Sequence, residues 1–96
     1  MRYNLFMYFV YVLRSLKDNK LYIGYTDSIE RRISQHMMGK VAATKGRLPL
    51  QLIYYEAYLE KQDAKGREKF LKGGSGHKYL KKQLAHYYSK CFRGTE

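Results

Sequence analysis

Residues 21–36, LYIGYTDSIERRISQH, change pattern in the middle. The first six, LYIGYT, are aromatic and β-branched and read as a strand. Asp27 is then placed as a helix N-cap, with Glu30 three residues on, an acidic variant of the capping box. Ile29, Ile33 and Met37 recur four apart, so the helix runs to about Met38 with these as its buried stripe, and Gly39 ends it. The junction therefore gathers Tyr22, Arg32 and His36. Either it is a tyrosine-rich scaffold under a charged surface, or it is a site for chemistry.

Working outward, residues 5–14 form an apolar run suited to a central strand buried on both faces. Asp18 and Asn19 carry turn chemistry, so this run and residues 21–26 make a hairpin. With an even number of loop residues Tyr11 stands opposite Thr26, and Tyr11 and Tyr22 share a face; an odd loop separates them. Residues 39–49 read as a mobile basic loop closed by Pro49, and LQLIYYEAYL as a third strand. A second helix covers residues 61–72, GGSG (73–76) breaks the chain, and a last helix starts near His77 with Leu80, Leu84, Tyr87 and Tyr88 inward. The order is β-β-α-β-α-α. That is an α+β class, a small three-stranded antiparallel or mixed sheet flanked by helices, expected as one domain over residues 1–96.

The chain has 96 residues, 19 Lys and Arg against 8 Asp and Glu, and a net charge of +11. Such a field attracts polyanions, nucleic acid foremost. Eleven tyrosines and no tryptophan suit half-buried strand faces with hydroxyls seeking partners. Cys91 is the single cysteine, which excludes an internal disulfide and fits a reducing, cytoplasmic setting. The run LFMYFVYVL follows Arg2, but no small-residue cleavage site comes after it. Nine residues are also too few to span a bilayer, so no membrane association is expected. Nor does any feature demand an obligatory protein partner.

Helical geometry places the polar residues. With the stripe centred on Ile33, His36 lies about 60° and Arg32 about 100° away on the same side, at the margin of the buried face. Solvated or locally paired side chains are the ordinary occupants of such a margin; a cleft is the other reading. On the second helix, Glu68 projects between Ala64 and Leu71. A carboxylate on an apolar face is ion-paired, protonated or bound to a hard cation.

Taken together these residues resemble the GIY-YIG nuclease domain. Its second motif is literal as Tyr22, Ile23 and Gly24. Its first is represented by FVY (Phe9, Val10, Tyr11), which keeps the tyrosine and lacks the glycine and isoleucine. SIERRISQH matches the arginine-helix pattern at Arg32 and His36, and REKFLK the segment whose glutamate falls on Glu68. The likeness spans roughly residues 6–85. Thr44, Arg47, Pro49 and the following LIYYEA look like the small stand-alone bacterial members.

The resemblance implies a metal-dependent endonuclease acting on DNA, structured or damaged DNA included, with a role in DNA repair. It implies one Mg²⁺ or Mn²⁺ held by Glu68. Tyr22 would position or deprotonate the attacking water with Tyr11 as partner. Arg32 would hold the phosphate and favour phenolate, and His36 would bond a tyrosine or shuttle its proton. Gly24 would let backbone and phosphate approach closely. Lys40, Lys45 and Arg47 suit flanking phosphates, with a merely solvated loop as the alternative. Two competing readings remain: a nucleic-acid-binding module without catalysis, and a structural or assembly protein whose charge serves solubility or an acidic partner.

Overall fold

Four consecutive residues, Val10, Tyr11, Val12 and Leu13, are buried, the mark of a strand covered on both faces. They lie in β1 (Tyr8–Ser15), the centre of a sheet ordered β2-β1-β3, with β2 at Leu21–Thr26 and β3 at Leu50–Tyr58. Both pairings are antiparallel. The computed structural model describes residues 6–92. Leu5, which opens the expected apolar run, and Arg2 ahead of it lie outside them.

Alternation along β1 divides the core in two. Val10 and Val12 pack with Ile23 against Ala64, Leu71 and Leu80 of α2 (Lys61–Lys72) and α3 (Gly74–Gln83). Tyr11 and Leu13 face the other way, with Leu50 and Leu52, against Ile29 and Ile33 of α1 (Ile29–Met37). The architecture is thus a three-stranded antiparallel sheet with helices on both faces, the expected α+β class.

Local departures have physical reasons. Ser28, not Asp27, is the N-cap of α1. Thr26 Oγ1 accepts from Ser28 N at 3.0 Å, and Asp27 turns to Arg31 at 3.5 Å. Gly39, at φ +74°, follows the helix as expected. The GGSG break shrinks to Gly73, because α3 already begins at Gly74. Gly76 is buried where a Cβ would lie 2.2 Å from Phe70 O, so a glycine there lets α3 start against the end of α2. The expected last helix is two, α3 and α4 (Ala85–Phe92), separated at Leu84. Among the described residues no helix is long and apolar enough to cross a membrane.

Candidate active site

Tyr11 and Tyr22 share a face, as an even hairpin loop requires, but the register is two residues from the expected one. Tyr11 pairs with Gly24, Phe9 takes Thr26, and Tyr22 stands opposite Leu13. The end of the Tyr11 ring fills the space above Gly24. What the glycine accommodates is therefore this ring rather than a phosphate.

His36 is the larger correction. Instead of a marginal position it is fully buried, while Met37 is exposed. Ile29 and His36 lie about 40° and 60° to one side of Ile33, so the inner face of α1 is rotated that way and Met37 falls outside it. His36 Nε2 lies 2.8 Å from the Tyr11 hydroxyl, and Nδ1 lies 2.8 Å from Thr44 Oγ1. The imidazole also stands against Tyr22, with ring centroids 5.0 Å apart; Tyr11 and Tyr22 are 6.2 Å apart.

Charge organises this group. Burial, with the positive charge of Arg32 added, lowers the His36 pKa to about 4, so the ring is neutral at pH 7. Burial pushes the Tyr11 hydroxyl up to about 12; the Arg32 guanidinium opposes this and Tyr22 adds to it. Tyr11 is thus a proton carrier, not a phenolate. Arg32 is half-buried, and its Nη1 donates to Gln35 Oε1 at 3.1 Å.

Glu68 arrives from elsewhere. It lies between buried Ala64 and Leu71 on α2, which packs on the sheet face opposite α1. No hydrogen bond or ion pair among the described residues joins it to Tyr11, Tyr22, Arg32 or His36. Its carboxylate pairs with Lys72 at 3.1 Å, and that lysine is 57 % exposed, a weak tie. The Glu68 charge also reaches Tyr25, whose hydroxyl is raised by desolvation first and by Tyr8, Asp27 and Glu68 after it. Gly24 and Tyr25 are successive residues of the edge strand β2 and face opposite ways. The tyrosine–histidine group and the carboxylate therefore flank the two faces of one edge strand, a residue apart.

Glu68 suits a hard, partly hydrated cation. No cluster of three His, Cys, Asp or Glu exists among the described residues, so a closed structural metal cage does not form there. A single half-buried carboxylate leaves the remaining positions to water and substrate oxygen, as Mg²⁺ prefers.

The basic loop is packed rather than loose. Val41 and Thr44 are buried, Lys45–Arg47 forms a 3₁₀ turn, and the Leu48–Pro49 bond is cis. Lys40 and Lys45 are exposed. The Arg47 side chain is only 25 % exposed and pairs with Asp18 at 3.5 Å, so it serves the hairpin turn.

Sequence reasoning gave no chemical role to two further groups, although it noted Thr44 and the LIYYEA stretch as family-like. Thr44 has no periodic signal, since it sits in a loop. Glu56 had one: in LIYYEAYL strict alternation places it between Tyr54 and Tyr58 on one face. Both tyrosine hydroxyls donate to its carboxylate, and Arg67 clamps it through Nε at 2.9 Å and Nη2 at 3.0 Å. Burial opposes ionisation of Glu56, but Arg67 and the two hydroxyls prevail and hold its pKa below the usual value.

Comparison with known proteins adds a family. The model of the GIY-YIG catalytic domain matches residues 7–84. A UPF0213 protein of Staphylococcus haemolyticus is 43% identical over 75 residues, 77% of this chain and 90% of that protein. One of Clostridium perfringens is 42% identical over 67 residues, 69% of this chain and 71% of its own. The solution NMR structure of the UPF0213 protein from Bacillus halodurans superposes with a TM-score of 0.52 at 32% identity, covering 81% of this chain and 85% of that one. These names carry a family designation and no activity.

Proposed function

Because the chain belongs to the GIY-YIG family, we propose that it is a divalent-metal-dependent endonuclease that hydrolyses phosphodiester bonds in DNA, structured or damaged DNA included. The family in general implies contact with nucleic acid and use of a divalent metal. The observation that carries the reading is the convergence of Tyr11, Tyr22 and His36, with ring centroids within 6.2 Å, under the charge of Arg32.

Each residue has a task in that reading. Tyr22, half-exposed beside the buried pair, orients or deprotonates the attacking water. Tyr11, kept protonated, supports the Tyr22 oxygen by hydrogen bonding. Arg32 takes the scissile phosphate, where its planar fork suits a pair of oxygens. The water oxygen bonds to phosphorus as the bond to the 3′ oxygen breaks, and the departing oxygen takes a proton. Mg²⁺ or Mn²⁺ bound at Glu68 would supply neutralisation of charge on the leaving oxygen and phosphate. A strand crossing the edge of β2 would meet both groups of residues.

A panel of plasmid, flap and branched DNA incubated with Mg²⁺ or Mn²⁺ tests the reading. Cleavage is expected, to vanish in Glu68→Ala and Arg32→Ala while far-UV circular dichroism is unchanged. Cleavage retained in the purified double variant overturns the assignment. The placement of Glu68 on the opposite face, paired with Lys72, favours one alternative: a nucleic-acid-binding module of weak or no catalysis. Salt-sensitive binding without turnover under either metal would establish it.

A further inference from the structure

We propose that Thr44 is a positioning residue that fixes His36 as the Nε2–H tautomer and so turns the Tyr11 hydroxyl outward, toward Tyr22 and the open side of the site. The inference starts from the hydroxyl of Thr44. It is fully buried, and among the described residues His36 Nδ1, at 2.8 Å, is its hydrogen-bond partner. A hydroxyl offers one proton and two lone pairs. If Nδ1–H donated to Thr44, the threonine's own proton would be buried with no acceptor, at the full cost of its desolvation. If Thr44 donates to Nδ1, its proton has an acceptor, and the Tyr11 proton, displaced from Nε2, turns to the Tyr22 hydroxyl beside it. Only lone pairs are left over.

The rest follows from the inventory of a neutral imidazole. With Nδ1 accepting, Nε2 carries the hydrogen and donates to the Tyr11 oxygen at 2.8 Å. Tyr11, receiving there, directs its own proton elsewhere. Its ring lies over Gly24 and beside Tyr22, so that proton points toward the exposed side. Thr44, His36 and Tyr11 become three donors aligned in one sense, ending where an anionic oxygen would stand. Thr44 does not drift from this role: its N–H donates to Val41 O at 3.0 Å and its carbonyl accepts from Arg47 N at 2.9 Å. The tautomer follows from the hydrogen-bond inventory alone; its catalytic use rests on the nuclease reading.

Two-bond ¹H–¹⁵N correlation spectra of histidine-labelled protein at pH 7 decide the tautomer without any activity. The expected His36 pattern is pyrrole-like at Nε2 and pyridine-like at Nδ1, kept in Thr44→Ser and lost or mixed in Thr44→Val. Nδ1–H in the unmodified protein overturns the proposal, and needs no variant to fold. An unaltered pattern in folded Thr44→Val also overturns it. On a cleaved DNA, Thr44→Val should lower kcat by on the order of 10- to 100-fold with KM unchanged, and Thr44→Ser should restore it. Absence of cleavage would sink the nuclease reading while the spectra still decided the tautomer.

Discussion

A Cβ on Gly24 would stand 2.4 Å from both Cζ and the hydroxyl oxygen of Tyr11. The second-motif glycine is therefore a seat for the first-motif tyrosine one strand away. Gly24→Ala must displace the ring end, and with it the 2.8 Å contact to His36. The expected loss of stability is about 1–3 kcal/mol by overpacking. Urea unfolding measures it, and cleavage should fall further than stability alone explains. A variant as stable and active as the parent would show that the Tyr11 ring does not need this seat.

How much of this was legible follows from the physics of each signal. The shared face of Tyr11 and Tyr22 is a matter of parity, which a period of two preserves even when the register is off by two residues. Absolute register depends on the loop around Asn19, which adopts φ +63°, and a turn-residue pattern does not state loop length. His36 was placed on the correct side of α1, yet its depth was hidden because Met37 looks apolar while standing exposed. Thr44 was unreadable as chemistry, because a buried loop hydroxyl is fixed by tertiary contact and leaves no periodicity. Glu68 was correctly set between Ala64 and Leu71, but spacing along one helix does not tell which sheet face the helix covers.

The clamp between Glu56 and Arg67 should matter for both stability and site. Arg67 precedes Glu68, so the bond to β3 fixes the rotation of α2 that aims Glu68. Glu56→Gln is expected to cost about 2–3 kcal/mol, since charge-assisted bonds at a largely covered site are lost. Arg67→Lys should not rescue, because an ammonium lacks the paired donors. The Glu56 pKa is depressed from 4.5, so its contribution is complete above 4.5 and is lost as pH falls through the lowered value. A double-mutant cycle across pH checks both statements, and the metal concentration for half-maximal cleavage should rise in Glu56→Gln.

His36 sets a second, higher acid limit. Its pKa falls from 6.5 to about 4 on folding, so between those values the unfolded chain binds a proton that the native one does not. Stability then rises with pH through that window, and acidification from pH 6.5 toward 4 removes it at up to ~1.4 kcal/mol per pH unit. Chemical denaturation at several pH values, with His36→Gln as reference, tests this. The advantage of the parent over the variant should shrink steadily below pH 6.5. Parallel curves would mean that His36 protonates equally well in both states.

The basic loop yields a prediction that separates its three cations. Lys40 and Lys45 are exposed and free to meet phosphate, whereas Arg47 is bound to Asp18 and largely covered. Replacing a lysine that neutralises one phosphate of duplex DNA should flatten the slope of log affinity against log salt by about 0.9. Lys40→Ala and Lys45→Ala are therefore expected to weaken binding and flatten that slope with stability unchanged. Arg47→Ala should do the reverse, lowering the urea midpoint while leaving the slope as it was. Titrations of a fluorescent duplex from 50 to 200 mM salt supply the measurement. An Arg47→Ala protein of full stability and reduced slope would move that arginine out of the hairpin turn and onto the nucleic acid.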